Sequence, residues 1–332
     1  MSTVPLSLDE IGHLATRALT HNGCDAANTQ ALVRTIVAAE QDGSLSHGLF
    51  RLPGYVASLR SGKVNGKADP TVKHKTSCIV SVHGDDGYAP LAIERGVPVL
   101  AAAAKRLGVA VMSITNTFHF AALWPETEAI AAHGLFGLAC VSYLPLVAPA
   151  GGNRPLFGTN PISFAWPRAG QSPVVVDMAT AAMAQGELQI AAREGRLVPT
   201  GTGVNAEGAP TNDPNEILTG MMLPFGGYKG SAIALLVELL SAGALGERFS
   251  FEAAEADNGD GGPPRGGEFL LAISPELLAG PGWAEHCEAL FRRFDAIEGA
   301  RLPGARRHRN RLSTSPRAID AALLERVRAL CA

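Results

Sequence analysis

The stretch from residue 79 to residue 114 constrains the fold most, because its hydrophobic period changes twice. Residues 79–82 and 109–114 are short apolar runs typical of strands, and the segment 89–107 between them has the composition and length of a helix. This alternation predicts an α/β fold. The other predicted strands are 134–141, 161–165 and 269–273.

Both ends of the chain are predicted to be helical. Ser7 and Glu10 form a capping-box pattern ahead of apolar residues at helical spacing, so a helix opens the chain. A last helix is expected from Asp320 and should pack on the first. The other predicted helices span 26–39 and 284–294.

Two further segments have a distinctive composition. The apolar segment 232–245 contains Glu238 and is shorter than the roughly 20 residues that a membrane span needs, so it predicts a buried core helix. The segment 249–267 is rich in Gly, Asp, Glu and Pro, which predicts a long surface loop. No membrane partner is expected.

Composition and charge exclude several classes of protein. With 332 residues, of which 46% are hydrophobic and 18% charged, the chain predicts two or three packed lobes and not a disordered or fibrous protein. A formal net charge of −3 gives no general attraction to nucleic acid. The five cysteines are scattered and form no C-x-x-C pair, so we expect no disulfide framework, no bound metal and a reducing, cytoplasmic compartment. The first residues also lack the features of a secretory signal.

The chain carries one apparent dinucleotide-binding fingerprint. Residues 201–206 fit G-x-G-x-x-A, but they follow Pro199 and run into Gly208 and Pro210 where a binding motif would open a helix. We interpret the segment as a loop. The sequence therefore predicts no ordinary Rossmann site.

Ser46, His47 and Gly48, with Arg51 four positions after the histidine, form the first candidate site. A loop histidine can deliver a proton near neutral pH, and an arginine one turn away can bind a carboxylate through two hydrogen bonds. The pattern favours a carboxylate-bearing substrate. The alternative is structural, with His47 capping a helix and Arg51 in a surface ion pair.

The second candidate site is the segment 116–124, after the strand that is expected to end near Ile114. The chain is predicted to turn here from strand to helix, and the backbone N–H groups at such a turn attract an anion. His119 would lie at the mouth of that site. The alternative is a histidine whose hydrogen bonds are satisfied beside an aromatic core.

Glycine- and proline-rich turns supply two more candidates. The turn 157–161 is expected to leave Thr159 and Asn160 with donors and acceptors directed at a ligand. Lys229 and Gly230 open the apolar helix, where glycines, a cation and the helix dipole suit a phosphate, although the spacing is not that of a Walker sequence. A plain glycine-rich helix entry is the alternative.

The last candidate is a basic segment near the C-terminus. Five arginines lie within residues 301–311 of a chain that is otherwise slightly acidic. The segment is either a solvated basic face or a clamp for a phosphorylated ligand. A nucleic-acid patch is disfavoured, because no aromatic residues are interleaved for stacking on bases.

Together these segments resemble the malate/L-lactate dehydrogenase-like family over nearly the whole chain. The family-wide marks are Ser46-His47-Gly48 with Arg51 and Pro53, residues 116–119, residues 149–152, Gly158-Thr159-Asn160-Pro161, Asp177-Met178-Ala179 and Tyr228-Lys229-Gly230. Each is weak alone, and jointly they are specific. The segments Asp42-Gly43-Ser44, 119–124 and 301–307 most resemble the Δ1-piperideine-2-carboxylate/Δ1-pyrroline-2-carboxylate reductases within that family.

The resemblance implies an α/β protein with a malate/sulfolactate dehydrogenase-like fold. Its nicotinamide-binding sheet would be largely antiparallel and not a Rossmann sheet, which accounts for the missing fingerprint. Residues 1–75 with 285–332 would form a helical lobe, and residues 76–284 the nicotinamide-binding and central domain. The resemblance also implies a homodimer.

Roles for individual residues follow from the same resemblance. His47 would be the proton donor, with Ser46 and Glu187 as its relay partners. Arg51 and Thr159 would hold the substrate. The implied cofactor contacts are His119, Phe120, Ala121, Ala122, Leu123, Asp177, Met178, Ala179, Lys229, Gly230, Arg306, Arg307, His308 and Arg309.

The implied reaction is the reduction of a small cyclic imino acid, Δ1-piperideine-2-carboxylate or Δ1-pyrroline-2-carboxylate, to L-pipecolate or L-proline. The arginine cluster favours NADPH, whose 2′-phosphate suits guanidinium groups, with NADH as the alternative cofactor. The apolar segment 118–124 offers no second cation for a dicarboxylate, which weighs against malate. The alternatives are an NAD(P)-dependent 2-oxo acid or 2-hydroxy acid dehydrogenase acting on malate, lactate or ureidoglycolate, and a non-catalytic binding protein of the same fold.

Three positions depart from the family pattern. Thr202 and Asn205 stand where the family carries tryptophan and aspartate. Glu187 stands where many of the imine reductases carry aspartate, and its extra methylene moves the carboxylate by about a bond length. All three bear on how the substrate fits.

Overall fold

A computed structural model of the protein describes residues 2–120 and 122–332. The helices are α1 (Leu8–His21), α2 (Ala26–Asp42), α3 (Leu52–Arg60), α4 (Ala89–Leu107), α5 (Trp124–Ala131), α6 (Gln185–Glu194), α7 (Pro214–Thr219), α8 (Tyr228–Glu238), α9 (Ser250–Glu255), α10 (Pro275–Ala279), α11 (Trp283–Asp295), α12 (Ala305–Arg311) and α13 (Ala321–Ala329). The strands are β1 (Thr3–Leu6), β2 (Thr71–His74), β3 (Ile79–Tyr88), β4 (Val109–Phe118), β5 (Phe136–Val141), β6 (Ile162–Trp166), β7 (Val174–Met178), β8 (Gly203–Val204), β9 (Pro210–Thr211), β10 (Met221–Met222), β11 (Arg265–Ile273) and β12 (Arg317–Asp320).

The central sheet has seven strands in the order β2-β3-β4-β11-β5-β6-β7. Strands β3 and β4 are parallel, and α4 connects them, whereas each other neighbouring pair is antiparallel. The expectation of an α/β protein with a largely antiparallel sheet is confirmed. The predicted helix over 89–107 is also confirmed, because α4 spans those residues.

Strand β4 is longer than the sequence predicted. It does not end near Ile114 but continues through Asn116, which has a positive φ of 55°, to Phe118. Pairing with β11 extends the strand, because Thr117 lies opposite Gly266 and Phe118 lies opposite Arg265. The strand-to-helix turn therefore falls later, and α5 begins at Trp124.

The main core lies between this sheet and the helices α4 and α5. Fully buried residues from the strands, such as Met112 and Leu270, pack against Leu100 of α4 and Ile130 of α5. Gly96 of α4 lies so close to Met112 and Val82 that a side chain there would displace them. The sheet is thus covered on this face by a helical layer.

A second core joins the two ends of the chain. Helices α1, α2, α3 and α13 pack together around residues such as Ile11, Leu32 and Val327. The capping box predicted at Ser7 and Glu10 is present at the start of α1. The expected contact of the last helix with the first is confirmed, and β1 pairs with β12 beside it. The division into residues 1–75 with 285–332 and residues 76–284 stays a prediction.

Two expectations about loops and burial are wrong. The segment 249–267 is not one long loop, because α9 lies within it and β11 begins at Arg265. The segment 232–245 is not wholly buried, since Leu235 and Leu236 of α8 are exposed by 48% and 47%, and Leu239 in the turn after it by 51%. Among the described residues, no helix combines the length and the hydropathy that a membrane crossing would need.

Candidate active site

A cavity of about 360 Å³ lies between the segment that follows α2, the edge strand β7 and the helices α6 and α12. Its wall contains most of the residues that the sequence singled out. The predicted residues that line it are Ser46, His47, Arg51, Phe120, Thr159, Asp177, Met178, Ala179, Glu187, Arg306 and Arg307.

Ser46 and His47 lie in a single 3₁₀ turn just after α2. Ser46 Oγ is 3.1 Å from His47 Nδ1, so the serine hydroxyl can fix one edge of the imidazole ring. The turn is held by buried Glu40, whose Oε1 accepts a hydrogen bond from the Leu49 backbone N–H at 2.7 Å. Gly48 is required beside it, because a Cβ there would collide with the Glu40 carboxylate.

The charge on His47 is controlled by its surroundings. Burial lowers the pKa of His47 to about 3, and the Arg51 cation and, when it is protonated, His119 act in the same direction. The imidazole is therefore neutral at physiological pH before any ligand enters. An anion beside Arg51 would offset one of these effects and favour the imidazolium.

Arg51 presents its guanidinium to the cavity. Its Nε donates to the Ser46 carbonyl at 2.8 Å, and the guanidinium carbon lies 4.7 Å from the ring centroid of Phe120 and 5.4 Å from that of Phe50. Within the described residues no carboxylate pairs with it. A cation that is packed between two aromatic rings but lacks an anion is well suited to bind a carboxylate ligand.

Gly186 and Glu187 form the start of α6. A Cβ at Gly186 would lie 2.7 Å from Arg51 Nη2 and 2.8 Å from Ser46 Cβ, so only glycine lets α6 approach these two residues. The exposed Glu187 lines the cavity, but in the described part of the chain it forms no hydrogen bond with Ser46 or His47. Its relay role stays a prediction.

The turn that carries Thr159 is held by its neighbour. Asn160 is fully buried at a φ of 37°, and its Nδ2 donates to Glu238 Oε1 at 2.8 Å and to the Ala234 carbonyl at 3.1 Å. The expectation that Asn160 faces a ligand is therefore wrong. Thr159, in contrast, lines the cavity.

The N-terminus of α5 is already bound to a carboxylate of the chain. Asp177 Oδ2 accepts hydrogen bonds from the backbone N–H groups of Leu123 and Trp124, both at 3.1 Å. A carboxylate is favourable there, because it meets unpaired N–H groups and the positive end of the helix dipole. The expected open anion site at this turn is thus closed by Asp177.

His119 does not lie at the mouth of a site but is buried at 6% exposure. Its Nε2 is 3.2 Å from Glu126 Oε1, and Glu268 lies beside them, with ligand-type atoms of all three within 4.8 Å. Burial raises the pKa of Glu268 to about 8 and that of Glu126 well above its usual range, while it lowers the pKa of His119. The cluster is therefore largely uncharged at neutral pH.

The basic segment 301–311 does not act as one clamp. Arg306 is exposed at the cavity, and Arg307 is half-buried against Trp124. His308 Nε2 lies 2.9 Å from the Pro173 carbonyl, so it is engaged with the chain itself. Arg311 forms ion pairs with Asp42 at 2.6 Å and Glu128 at 2.7 Å, which attach α12 to α2 and α5.

Several expected cofactor contacts lie outside this cavity. They are His119, Ala122, Leu123, Lys229, Gly230, His308 and Arg309. Lys229 is exposed at the start of α8, and Gly230 is buried where a Cβ would meet the Phe225 backbone. Ala121 lies outside the described residues.

The cavity also contains residues that the sequence did not reveal. Arg196, which follows the left-handed C-cap Gly195 of α6, brings another cation to the wall. The prediction against a dicarboxylate drew only on the segment 118–124, and Arg196 supplies a cation from outside that segment. Tyr143 and Met183 also line the cavity, and no local sequence signal marks them.

Comparisons with known proteins agree over nearly the whole chain. The model of the malate/L-lactate dehydrogenase family matches residues 6–326. Δ1-Pyrroline-2-carboxylate reductase 1 of Burkholderia ambifaria is 45% identical over 309 residues, which cover 92% of this chain and 91% of that protein. The Δ1-pyrroline-2-carboxylate/Δ1-piperideine-2-carboxylate reductase of Pseudomonas syringae pv. tomato is 42% identical over 331 residues, with 99% and 96% covered.

Solved structures give the same result. The crystal structure of Δ1-piperideine-2-carboxylate reductase from Pseudomonas syringae pv. tomato superposes with a TM-score of 0.92 at 42% sequence identity. The match covers 99% of this chain and 100% of that one. Sulfolactate dehydrogenase from Methanocaldococcus jannaschii superposes with a TM-score of 0.88 at 28% identity, covering 99% and 96%. The expected malate/sulfolactate dehydrogenase-like fold is confirmed.

Proposed function

The chain belongs to the malate/L-lactate dehydrogenase family of oxidoreductases, and from that premise we propose that it is an NADPH-dependent reductase of cyclic imino acids. The substrates are Δ1-pyrroline-2-carboxylate and Δ1-piperideine-2-carboxylate, and the products are L-proline and L-pipecolate. One observation carries the proposal. In the cavity, the guanidinium of Arg51 lies beside Ser46 and His47, and no carboxylate of the described residues pairs with it.

Arg51 binds the single carboxylate of the imino acid. Its guanidinium can form two parallel hydrogen bonds to a carboxylate, which fixes the plane of the ring as well as its position. The rings of Phe50 and Phe120 hold that guanidinium in place. Thr159 contributes a hydroxyl to the same wall.

His47 supplies the proton. Reduction adds a hydride to the C=N carbon and a proton to the ring nitrogen, so the site needs an acid near that nitrogen. Binding of the substrate carboxylate to Arg51 offsets one of the causes of the low pKa of His47, although not the burial that is the largest, and so favours protonation of the imidazole. Ser46 orients the ring through Nδ1, and Glu187 lies in the wall where its carboxylate favours the imidazolium.

The residues of the cavity fit a nicotinamide cofactor. Met178 and Ala179 give an apolar wall beside the exposed cation of Arg306, which suits a flat ring joined to phosphates. Bound NADPH supplies the hydride. We assign further contacts with the cofactor to Phe120. Asp177 contributes indirectly, because it holds the start of α5 through the Leu123 N–H.

The preference for NADPH over NADH rests on Arg306. It is exposed at the cavity, and its planar guanidinium suits a 2′-phosphate. Arg306→Gln is expected to raise KM for NADPH and to leave KM for NADH within about twofold. An enzyme that prefers NADH before any substitution contradicts this part of the proposal.

We further propose a cytoplasmic homodimer. Helix α8 and the turn after it expose Leu235, Leu236 and Leu239 on one face, and such a face is typical of a subunit interface. All five cysteines are unpaired, which agrees with a reducing compartment.

The second candidate function is a 2-oxo acid reductase, and Arg196 favours it. This cation, whose Nη2 is 3.1 Å from Glu194 Oε2, lines the same cavity as Arg51, so the second carboxylate of a dicarboxylate such as oxaloacetate would find a further cationic group there. The relatives named as imino acid reductases favour the first function.

A substrate panel separates the two functions. NADPH oxidation by the purified protein is followed with Δ1-piperideine-2-carboxylate, Δ1-pyrroline-2-carboxylate, pyruvate and oxaloacetate. A higher kcat/KM for the cyclic imines is expected. If either 2-oxo acid gives the higher kcat/KM, the imine proposal is wrong and the second function replaces it.

A further inference from the structure

Two contacts in the described part of the chain bear on the orientation of the His47 ring. Its Nδ1 lies against Ser46 Oγ, and its ring meets Trp124 edge to face, with centroids 6.4 Å apart and planes at 88°. Ser46 is the adjacent residue in the same short turn, so its hydrogen bond moves with that turn. The contact with Trp124 joins the imidazole to a side chain outside that turn.

Trp124 is rigidly held. It is 3% exposed and packs against Ala165 and Val175 of the sheet and Ala39 of α2. It is also the first residue of α5, and its backbone N–H donates to Asp177 Oδ2 at 3.1 Å. The Leu123 N–H donates to the same oxygen, so Asp177 fixes the point at which α5 begins.

Arg307 holds the indole from α12. Its guanidinium carbon lies 5.4 Å from the centroid of the Trp124 ring, a cation–π contact. Its Nη2 donates to the Val175 carbonyl at 3.2 Å. Strand β7 thus provides both the carbonyl that anchors Arg307 and, two residues later, the Asp177 carboxylate that anchors Trp124.

Adjacent arginines on α12 therefore differ in their contacts. Arg306 is exposed at the cavity and free to meet a ligand, whereas Arg307 is half-buried and engaged with Trp124 and β7. The family resemblance implies the same role, contact with the cofactor, for both. Arg306 is thus placed to bind a ligand, and Arg307 to hold Trp124, which contacts His47.

We propose that Trp124, held by Asp177 and Arg307, is a positioning residue that fixes the His47 ring for proton delivery. This rests on the proposed function, in which His47 supplies the proton. A group that transfers a proton must be held close to its productive geometry by neighbours that are themselves immobile, and a displacement of about 1 Å can cost about 100-fold in rate. Trp124 lines the same cavity as His47, and in this role it acts through His47.

The first test is a double-mutant cycle on kcat with Δ1-piperideine-2-carboxylate and NADPH. Trp124→Leu is expected to lower kcat by about 10- to 100-fold, with KM for both substrates changed less than about threefold. In a His47→Ala background the same substitution should change kcat by less than about twofold, because the residue it acts through is gone. Equal losses in both backgrounds overturn the proposal.

Further variants distinguish positioning from folding. Trp124→Phe keeps an aromatic edge and should recover most of kcat, and Arg307→Gln should lower kcat more than KM for NADPH. Arg306→Gln is the matched control on the same helix and should do the reverse. If Trp124→Leu does not fold, the other variants test the positioning role in its place. An Arg307→Gln enzyme with unchanged kcat overturns the proposal.

A spectroscopic readout separates this proposal from the proposed function. In protein labelled with ¹⁵N-histidine, the His47 ring signals should show one tautomer in the wild type and exchange broadening or a changed tautomer ratio in Trp124→Leu. Unchanged signals overturn the positioning role even if the enzyme reduces imines. A wild type that reduces no imine but shows the expected ring signals contradicts the proposed function alone.

Discussion

At the scale of single residues, the proposed proton donor His47 is neutral before a ligand binds. Burial lowers its pKa to about 3, and the Arg51 cation adds to this effect. A carboxylate bound by Arg51 offsets the effect of the cation and leaves the burial in place, since it brings a negative charge close to the imidazole. Substrate binding and protonation of His47 are thereby linked.

This linkage predicts proton uptake on binding. A group whose pKa rises when a ligand binds takes up a proton at any pH between its two pKa values. Binding of a non-reducible aromatic ring carboxylate in the presence of NADP⁺, measured by calorimetry at pH 6 in buffers of different ionisation enthalpy, should take up a proton in the wild type. His47→Ala should take up none, and equal uptake in both proteins would show that another group titrates.

His47→Ala also tests the chemical role directly. Loss of a positioned acid typically lowers the rate by roughly 10²- to 10⁴-fold. We expect that loss in kcat, while the Kd for NADPH, measured by cofactor fluorescence, stays within about twofold. Near-normal turnover would remove His47 from the mechanism.

Glu268 predicts a pH dependence of stability. Its pKa is raised by burial to about 8, above the roughly 4.3 of an unfolded glutamate, so the folded state binds the extra proton between these values. The free energy of unfolding therefore falls as pH rises through that window, by up to about 1.4 kcal/mol per unit. Glu268→Gln removes this contribution and should make the curve from urea unfolding at pH 5 to 8 less steep, with the slope that remains coming from Glu40 and Asp177, whose pKa values are raised to about 7 and about 6. The exposed Glu255→Gln should follow the wild type, and a wild-type slope in Glu268→Gln contradicts the assignment.

Some residues of the site could be recognised in the sequence and others could not. His47 and Arg51 are four positions apart, so local spacing brings them together and the pattern is visible. Gly186 and Arg196 reach the same cavity because α6 packs against the Ser46 turn, and only tertiary structure determines that approach. Asn160 was misassigned because a turn sequence does not show which side of the turn is buried.

At the scale of elements, α12 is held in place by Arg311. Its guanidinium bonds Asp42 at 2.6 and 2.7 Å and Glu128 at 2.7 and 3.0 Å, and Asp42 is fully buried. A buried carboxylate that loses its cation is strongly destabilising. The helix that carries Arg306 and Arg307 is thus attached by a different arginine of the same segment.

Arg311→Met tests this attachment. It should lower the free energy of unfolding on the order of 3 kcal/mol, because Asp42 stays buried without its partner. KM for NADPH should rise as well, since α12 loses its docking. Arg301→Met, at an exposed position of the same basic segment, should change neither quantity. Equal unfolding curves for the two variants would contradict the structural role of Arg311.

The ends of elements show where local patterns fail. Helix α4 was predicted to its last residue, because its apolar periodicity ends at Gly108. Strand β4 was predicted too short, since Thr115, Asn116 and Thr117 resemble a turn. Pairing with β11 overrides that preference, and β11 is remote in the sequence.

At the scale of the whole molecule, the alternation of strand and helix patterns predicted the class of fold. It did not predict the order of the strands in the sheet. No local pattern indicates that β11 lies between β4 and β5. The antiparallel character of the sheet was expected only through the family resemblance. Order within a sheet depends on long-range pairing, which a single sequence does not display.

The exposed face of α8 predicts the oligomeric state. A Leu236→Glu, Leu239→Glu double variant should convert a dimer into monomers, because it places two charges on the apolar face. Mass is measured by light scattering on a sizing column. Leu278→Glu, at a leucine of α10 that is 73% exposed, is the control and should stay dimeric. A dimer that survives the double variant places the interface elsewhere.

The central position of β11 has a consequence for biosynthesis. Strands β4 and β5 leave the ribosome early, yet the strand that joins them is made after about 120 further residues, which takes roughly 6 to 24 seconds of translation at ordinary rates. During that time the nascent chain carries two open strand edges facing the gap. Slowly closed edges of this kind invite pairing with other chains, so the yield of this protein in cells should depend on ribosome-associated chaperones.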